Sequence, residues 1–178
     1  MAAAVPSSPS IGLCVPTLNA GALWRDWLVR PQPAAKHFRV LVVDSSSDDE
    51  TAAIAHEFGC ELLVIERCDF DHGGTRQRAL HYLSDCDIVI FLTQDALIAD
   101  QDALAQLVAA FDDPGVGAAF GRQLPHPDAS PIAAHARYFN YPDESRVVAT
   151  ADIPRLGIKT AFLSNSFAAY RREALISA

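Results

Sequence analysis

Asp87-Ile88-Val89-Ile90-Phe91-Leu92-Thr93-Gln94-Asp95 sets a short apolar run between two acids. Ile88 to Leu92 is too short for a buried helix and is rich in β-branched and aromatic side chains. That is the pattern of a central parallel strand covered on both faces. Thr93, Gln94 and Asp95 then emerge at its carboxyl end, where open α/β sheets bind their ligands.

On either side of this strand, strand-like and helix-like segments alternate without repeats or low-complexity linkers. Upstream, Ile11 to Val15 reads as a first strand ended by Pro16, which has no N–H to give to a ladder. Thr17 to Gly21 is a loop into a short helix carrying Trp24, Trp27 and Leu28, stopped by Pro31 and Pro33. Arg39 to Val43 is a second strand ending in Asp44. Ser47, with Glu50 three residues on, has the form of a capping box for a helix with Ala53, Ile54 and Phe58 on one face. Glu61 to Ile65 is a third strand, and a loop over Arg67 to Gly74 precedes a helix from about Thr75 to Leu83.

Downstream, Leu104, Leu107, Val108 and Phe111 give the stripe of an amphipathic helix, closed by Asp113-Pro114-Gly115. Beyond Gly121 the pattern loosens. Leu124 to Pro142, rich in Pro, His and aromatics, reads as a functional loop or lid that touches substrate, and Phe162 to Tyr170 as a further strand. Strands alternating with helices of this length imply βαβ crossovers and a mostly parallel sheet in a three-layer α/β/α domain.

The chain's 178 residues suit one domain over residues 11–178. Residues 1–10 are expected to be a flexible tail, since they lack the basic and apolar regions of a signal peptide. No apolar run approaches the ~20 residues of a membrane span, so no integral membrane segment is expected. A formal charge of −8, with Lys and Arg not gathered into a stripe, argues against nucleic acid as a partner. An anionic ligand would then need a metal or a few well-placed cations. Cys14, Cys60, Cys68 and Cys86 show no metal-ligand spacing, and a reduced cytoplasmic protein is the simplest reading.

The strand ends offer several chemical groups. Asp44 could cap the following turn, but with Ser47 taken as the cap it is left to accept the imide N3–H of uracil or thymine; cytosine presents a lone pair there. Guanine also offers a ring N–H. In the loop Phe70-Asp71-His72-Gly73-Gly74-Thr75-Arg76, glycines at a helix start suit phosphate. Thr75 is a candidate cap. Arg76 and Arg78 in the first turn run against the helix dipole, which suggests a nearby anion; the plain alternative is a pair of solvated surface arginines. Asp95, on the same sheet edge as residues Pro16 to Asn19 and Asp44, could hold Mg²⁺ or Mn²⁺ together with phosphate oxygens.

Val15-Pro16-Thr17-Leu18-Asn19, then Val42-Val43-Asp44-Ser45-Ser46-Ser47-Asp48-Asp49, then Phe70 to Arg76, then Phe91-Leu92-Thr93-Gln94-Asp95 together resemble the large inverting glycosyltransferase family 2, with its GT-A fold. More narrowly, the Phe-x-His-Gly-x-Thr-Arg loop and a Thr-Gln-Asp in place of Asp-x-Asp resemble bacterial rhamnosyltransferases. The resemblance covers Ile11 to about Leu175. It implies a nucleotide-sugar donor, dTDP-L-rhamnose, and a bacterial surface polysaccharide or lipid-linked saccharide acceptor, the latter drawing the enzyme to the cytoplasmic membrane face. By the same resemblance Pro16, Thr17 and Asn19 would lie by the nucleoside, Asp44 would bind the base, Arg76 would contact base or diphosphate, Gln94 would lie near the ribose, and Asp95 would take the metal.

Two departures from the family pattern stand out. Thr93 replaces the first acid of the common motif, and Gln77-Arg78 stands where many members carry Asn after the arginine. The family's general base, a carboxylate following a Gly-Gly-Phe segment, would fall beyond Ala178, so the sequence reads as a truncated domain that binds donor without its base. Two other readings compete with this one. Gly73-Gly74-Thr75-Arg76 echoes the phosphate loop of sugar nucleotidyltransferases, although there the loop follows the first strand. A glycan-binding or scaffold module on a degenerate GT-A fold is the non-catalytic alternative. A dehydrogenase is disfavoured because no Gly-x-Gly-x-x-Gly follows the first strand.

Overall fold

The computed structural model describes residues 8–31 and 36–178. Pro33 and residues 1–7 of the expected tail lie outside the described residues. Ser10, at the end of that tail, is held in place: its N–H and hydroxyl both donate to Asp87 Oδ2, at 2.8 and 2.9 Å.

Six strands, β1 (Ile11–Thr17), β2 (Arg39–Asp44), β3 (Glu61–Val64), β4 (Ile88–Leu92), β5 (Ala118–Phe120) and β6 (Phe167–Arg171), form one sheet in the order β3-β2-β1-β4-β6-β5. The first four pair in parallel, and β6 runs antiparallel to both β4 and β5. The mostly parallel reading therefore holds, with β6 as the reversed strand. The sequence reading did not include β5, whose three residues, Ala-Ala-Phe, are too few to show alternation.

Helices cover both faces. Helix α1 (Trp24–Val29), α2 (Thr51–Glu57) and α4 (Ala103–Ala109) pack on one face through Trp24, Trp27, Leu28, Ile54, Leu104 and Leu107. Helix α3 (His72–Tyr82) packs on the other through Ala79 and Leu80, beside Leu83. Strand residues divide between the two cores with period 2: Ile88, Ile90 and Leu92 face the first, Val89 and Phe91 the second. This double burial explains why the β4 run carries no polar residue. Helix α7 (Arg172–Ser177) follows β6 directly, and Leu175 adds to the second core.

Four expected boundaries are corrected. Strand β1 continues through Pro16 to Thr17, pairing Pro16 with Val43 and Thr17 with Asp44. The Thr17 carbonyl accepts from the Ser45 N–H, so by alternation Pro16 turns its missing donor toward β4, where pairing has already ended at Cys14–Phe91. Ser47 does not cap α2. That helix starts at Thr51, and Asp49 Oδ1 accepts from the Thr51 N–H at 2.9 Å, while the Ser47 hydroxyl is drawn to Asp44.

Helix α3 starts at His72, not Thr75, because Asp71 caps it: Oδ1 accepts from the Gly73 and Gly74 N–H groups at 3.0 and 2.6 Å. The region 124–142 is not irregular throughout. It contains α5 (Pro131–Asn140), with Ser130 as N-cap and Pro131 in the first turn, the arrangement these two residues favour. A one-turn helix α6 (Ile153–Leu156) precedes β6, which begins at Phe167, not Phe162.

Candidate functional site

The carboxyl ends of β1, β2 and β4 lie side by side and carry an interlocked set of polar groups. Asp44, the last residue of β2, is 2% exposed. Its Oδ1 accepts from the hydroxyls of Thr17 (3.0 Å) and Ser47 (2.6 Å), and its Oδ2 accepts from the Ser47 N–H (2.8 Å). Asn19, in the left-handed region at φ 47°, donates its N–H to Ser47 Oγ and accepts from the Asp48 N–H, both at 2.8 Å. Asp49 Oδ2 accepts from the Gly21 N–H at 3.1 Å. The bonds from Thr51 and Gly21, led by the Thr51 hydroxyl, hold the Asp49 carboxyl below its ordinary range. Residues 17–21 are thus stitched to residues 44–51 by side chains that replace a sheet ladder once the strands end.

On the β4 side, Gln94 performs the same task. Its Oε1 accepts from the Leu18 N–H at 2.8 Å and its Nε2 donates to the Leu18 carbonyl at 3.2 Å. Asp95, next along, is exposed, and among the described residues no hydrogen bond or ion pair engages its carboxylate. The neighbouring Thr93 hydroxyl is buried and has no hydrogen-bond partner among the described residues.

Between these stitches lies a cavity of about 250 Å³ lined by Pro16, Thr17, Leu18, Ser45, Arg67, Phe70 and Gln94. That is small for a ligand cleft and would enclose a base or nucleoside but not a whole nucleotide sugar. A larger hollow of about 550 Å³ runs along β3, lined by residues such as Val64, Glu66, Arg78 and His81. It is a shallow surface groove away from the strand ends, and the smaller cavity is the better ligand site on topological grounds.

Of the residues singled out in the sequence, Pro16, Thr17 and Gln94 line the cavity. Asn19, Asp44 and Asp95 are not among its lining residues: Asn19 and Asp44 sit in the hydrogen-bonded stitch with Thr17 and Ser47, and Asp95 directly follows Gln94 in the chain. Arg76 is elsewhere: its guanidinium lies 5.8 Å from the centroid of Phe91 on the second face of the sheet, and its Nη1 donates to the His72 carbonyl at 2.7 Å. Burial pushes the nearby Cys14 thiol up to about 12, with the Arg76 charge opposing the shift. The phosphate reading of the glycine loop fails, since Asp71 already takes the Gly73 and Gly74 N–H groups; the nucleotidyltransferase reading fails with it.

Arg67 and Phe70 are cavity residues that no sequence reading gave a role. Strand order supplies the signal for them: the connection leaving β3 must pass beside the end of β2, so its first residues reach the same edge.

A family model for glycosyl transferase family 2 matches residues 13–177. The chain belongs to that family. Among curated proteins, this family 2 domain is 51% identical over 165 residues to the O-antigen chain rhamnosyltransferase RfbN of Salmonella typhimurium, covering 92% of this chain and 52% of the relative. It is 48% identical over 167 residues to the O-antigen chain rhamnosyltransferase WbaN of Salmonella anatum, covering 93% and 53%. The chain therefore spans about half the length of the curated relatives it matches.

Solved structures share its fold. A glucosyl-3-phosphoglycerate synthase from Mycobacterium tuberculosis, in complex with Mn²⁺ and UDP-glucose, superposes with TM-score 0.65 at 20% identity, over 96% of this chain and 58% of that one. A mannosyltransferase from Pyrobaculum calidifontis, in complex with GDP-mannose and Mn²⁺, gives 0.63 at 22% identity, over 96% and 47%. The fold is the GT-A fold.

Both of these solved structures hold a divalent cation, Mn²⁺. Among the described residues no group of three or more His, Cys, Asp or Glu is gathered to hold one. The exposed, unengaged Asp95 nonetheless fits the preference of Mg²⁺ for one or two carboxylates completed by phosphate oxygens and water. With Thr93 in place of a second acid, the donor's own oxygens would have to supply most of the coordination.

Proposed function

We propose that this domain binds the donor of an inverting glycosyltransferase that moves L-rhamnose from dTDP-L-rhamnose to a bacterial surface polysaccharide acceptor, in free or lipid-linked form. The observation that carries this reading is the cavity at the carboxyl ends of β1, β2 and β4, in a chain half identical to a protein named as an O-antigen chain rhamnosyltransferase. The base enters beside Thr17 and Ser45. Asp44 has four lone-pair positions, of which three are taken inside the protein, leaving one on Oδ2 for the ring N–H of the base. Pro16 and Asn19 shape the wall, and Gln94 fixes Leu18 at the ribose side. The diphosphate then extends toward Asp95.

In the transfer, the acceptor hydroxyl oxygen bonds to the sugar C1 as the C1–O bond to the diphosphate breaks, with inversion, and the hydroxyl proton passes to a base. No residue of this chain is proposed as that base. A divalent cation held by Asp95 would offset the charge that builds on the departing diphosphate. No described helix is long and apolar enough to cross a membrane, and placement at the cytoplasmic membrane face would follow from a lipid-linked acceptor alone.

Titration of dTDP, UDP, GDP and free glycan, with and without Mn²⁺, tests the reading. Metal-dependent binding of dTDP or UDP supports it, and binding of glycan alone would favour a non-catalytic module. In Asp95→Ala, affinity for dTDP should fall more than affinity for thymidine; equal losses for both ligands would remove Asp95 from the metal role.

A further inference from the structure

We infer that Arg67 is a positioning residue for donor binding, a guanidinium latch that holds the turn after β2 in the shape that forms the cavity. This rests on the donor-binding reading above. Arg67 is the first residue of a short 3₁₀ turn (Arg67–Asp69) after β3, and it is the one charged side chain among the cavity's lining residues. Its Nε and Nη2 both donate to the Ser46 carbonyl, at 3.1 and 2.9 Å, and Nη2 also pairs with Asp48.

Ser46 is where such a latch is needed. It adopts φ 55°, a left-handed conformation that a residue with a Cβ rarely holds unaided. Its hydroxyl is fixed from the same direction, donating to the Ile65 carbonyl at 2.9 Å. The residues on either side depend on it: Ser45 lines the cavity, and Ser47 donates both its N–H and its hydroxyl to Asp44. The pair with Asp48 is exposed, with side chains 46% and 76% accessible, and adds little. The two charge-assisted bonds onto one carbonyl carry the constraint. A lysine could keep the charge but could not fork onto that carbonyl.

The test combines amide hydrogen exchange at residues 45–49, thermal melting, and titration of dTDP and thymidine against the full chain. In Arg67→Ala, exchange at residues 45–49 should speed up while the melting temperature stays within about 2 °C of wild type. Affinity for dTDP and for thymidine should fall equally, each roughly 10-fold. Arg67→Lys should stay impaired in both exchange and affinity. Unchanged exchange in Arg67→Ala overturns the latch. Loss of dTDP affinity alone, with thymidine unaffected, overturns it in favour of a direct phosphate contact, and full recovery in Arg67→Lys overturns it in favour of charge. If wild type binds neither ligand the donor reading fails, while the exchange comparison still judges the latch.

Discussion

Asp44 shows how the fold itself uses a strand-end carboxylate. Its three internal hydrogen bonds tie the end of β2 to Thr17 and to the next turn, in a place 2% exposed. The expectation that Ser47 would free Asp44 by capping the following helix is reversed, since Ser47 is its principal donor. Asp44→Ala should therefore lower stability by about 1–3 kcal/mol, because it orphans buried donors. Thymidine affinity should fall as well. Chemical denaturation and titration on the same variant separate the two effects; stability lost with affinity intact would make Asp44 a turn residue only. In the sequence, Asp44 was visible as an acid at a strand end, but the allocation of its lone pairs was not.

At the scale of the element, the start of α3 turns on one carboxylate and one missing Cβ. Asp71 caps the helix, and a Cβ on Gly74 would come within 2.4 Å of Asp71 Oδ2, whereas one on Gly73 would sit 3.6 Å from Oδ1. Gly74→Ala should thus displace the cap and cost about 1 kcal/mol, while Gly73→Ala should be neutral or slightly stabilising through its better helix propensity. Thermal melting of the two variants decides this, and an equal effect at both positions would refute the close-approach argument. The glycines stand out in the sequence for phosphate binding. Their packing against Asp71 is a different use of the same small residue, and no local pattern distinguishes the two.

At the scale of the whole molecule, the buried Cys14 and half-buried Cys60 thiols and several bonded carboxylates make stability depend on pH. Burial raises Cys14 to about 12 and Cys60 to about 11, above their unfolded value near 8.5. A raised value contributes stability that is complete below the unfolded value and is lost as pH climbs toward the folded one. By pH 10 the loss from Cys14 is about 1–2 kcal/mol, and Cys14→Ala should flatten the fall between about pH 9 and pH 11 in denaturation midpoints. An unaltered slope would mean that other groups control the alkaline limb.

The acid limb has the opposite sign. Bonds from Thr51 to Asp49, from Arg39 to Glu61 and from Ser10 to Asp87 lower these carboxyls. Their contribution is present above the ordinary carboxylate values and disappears as pH falls through the lowered ones.

The sequence by itself determined five of the six strands, the two-sided burial of Ile88 to Leu92 and the edge on which the candidate ligand groups gather. These follow from the alternation and length of apolar runs, which are local properties. Tertiary structure alone decided which groups face the cavity and which are spent inside the protein. Thr17 meets Asp44, Leu18 meets Gln94 and Arg67 meets Ser46 across 27, 76 and 21 positions of chain. Those meetings exist only after sheet order has brought the strand ends within hydrogen-bond distance. A donor satisfied by such a partner is lost to the helix cap or ligand that its local sequence suggests.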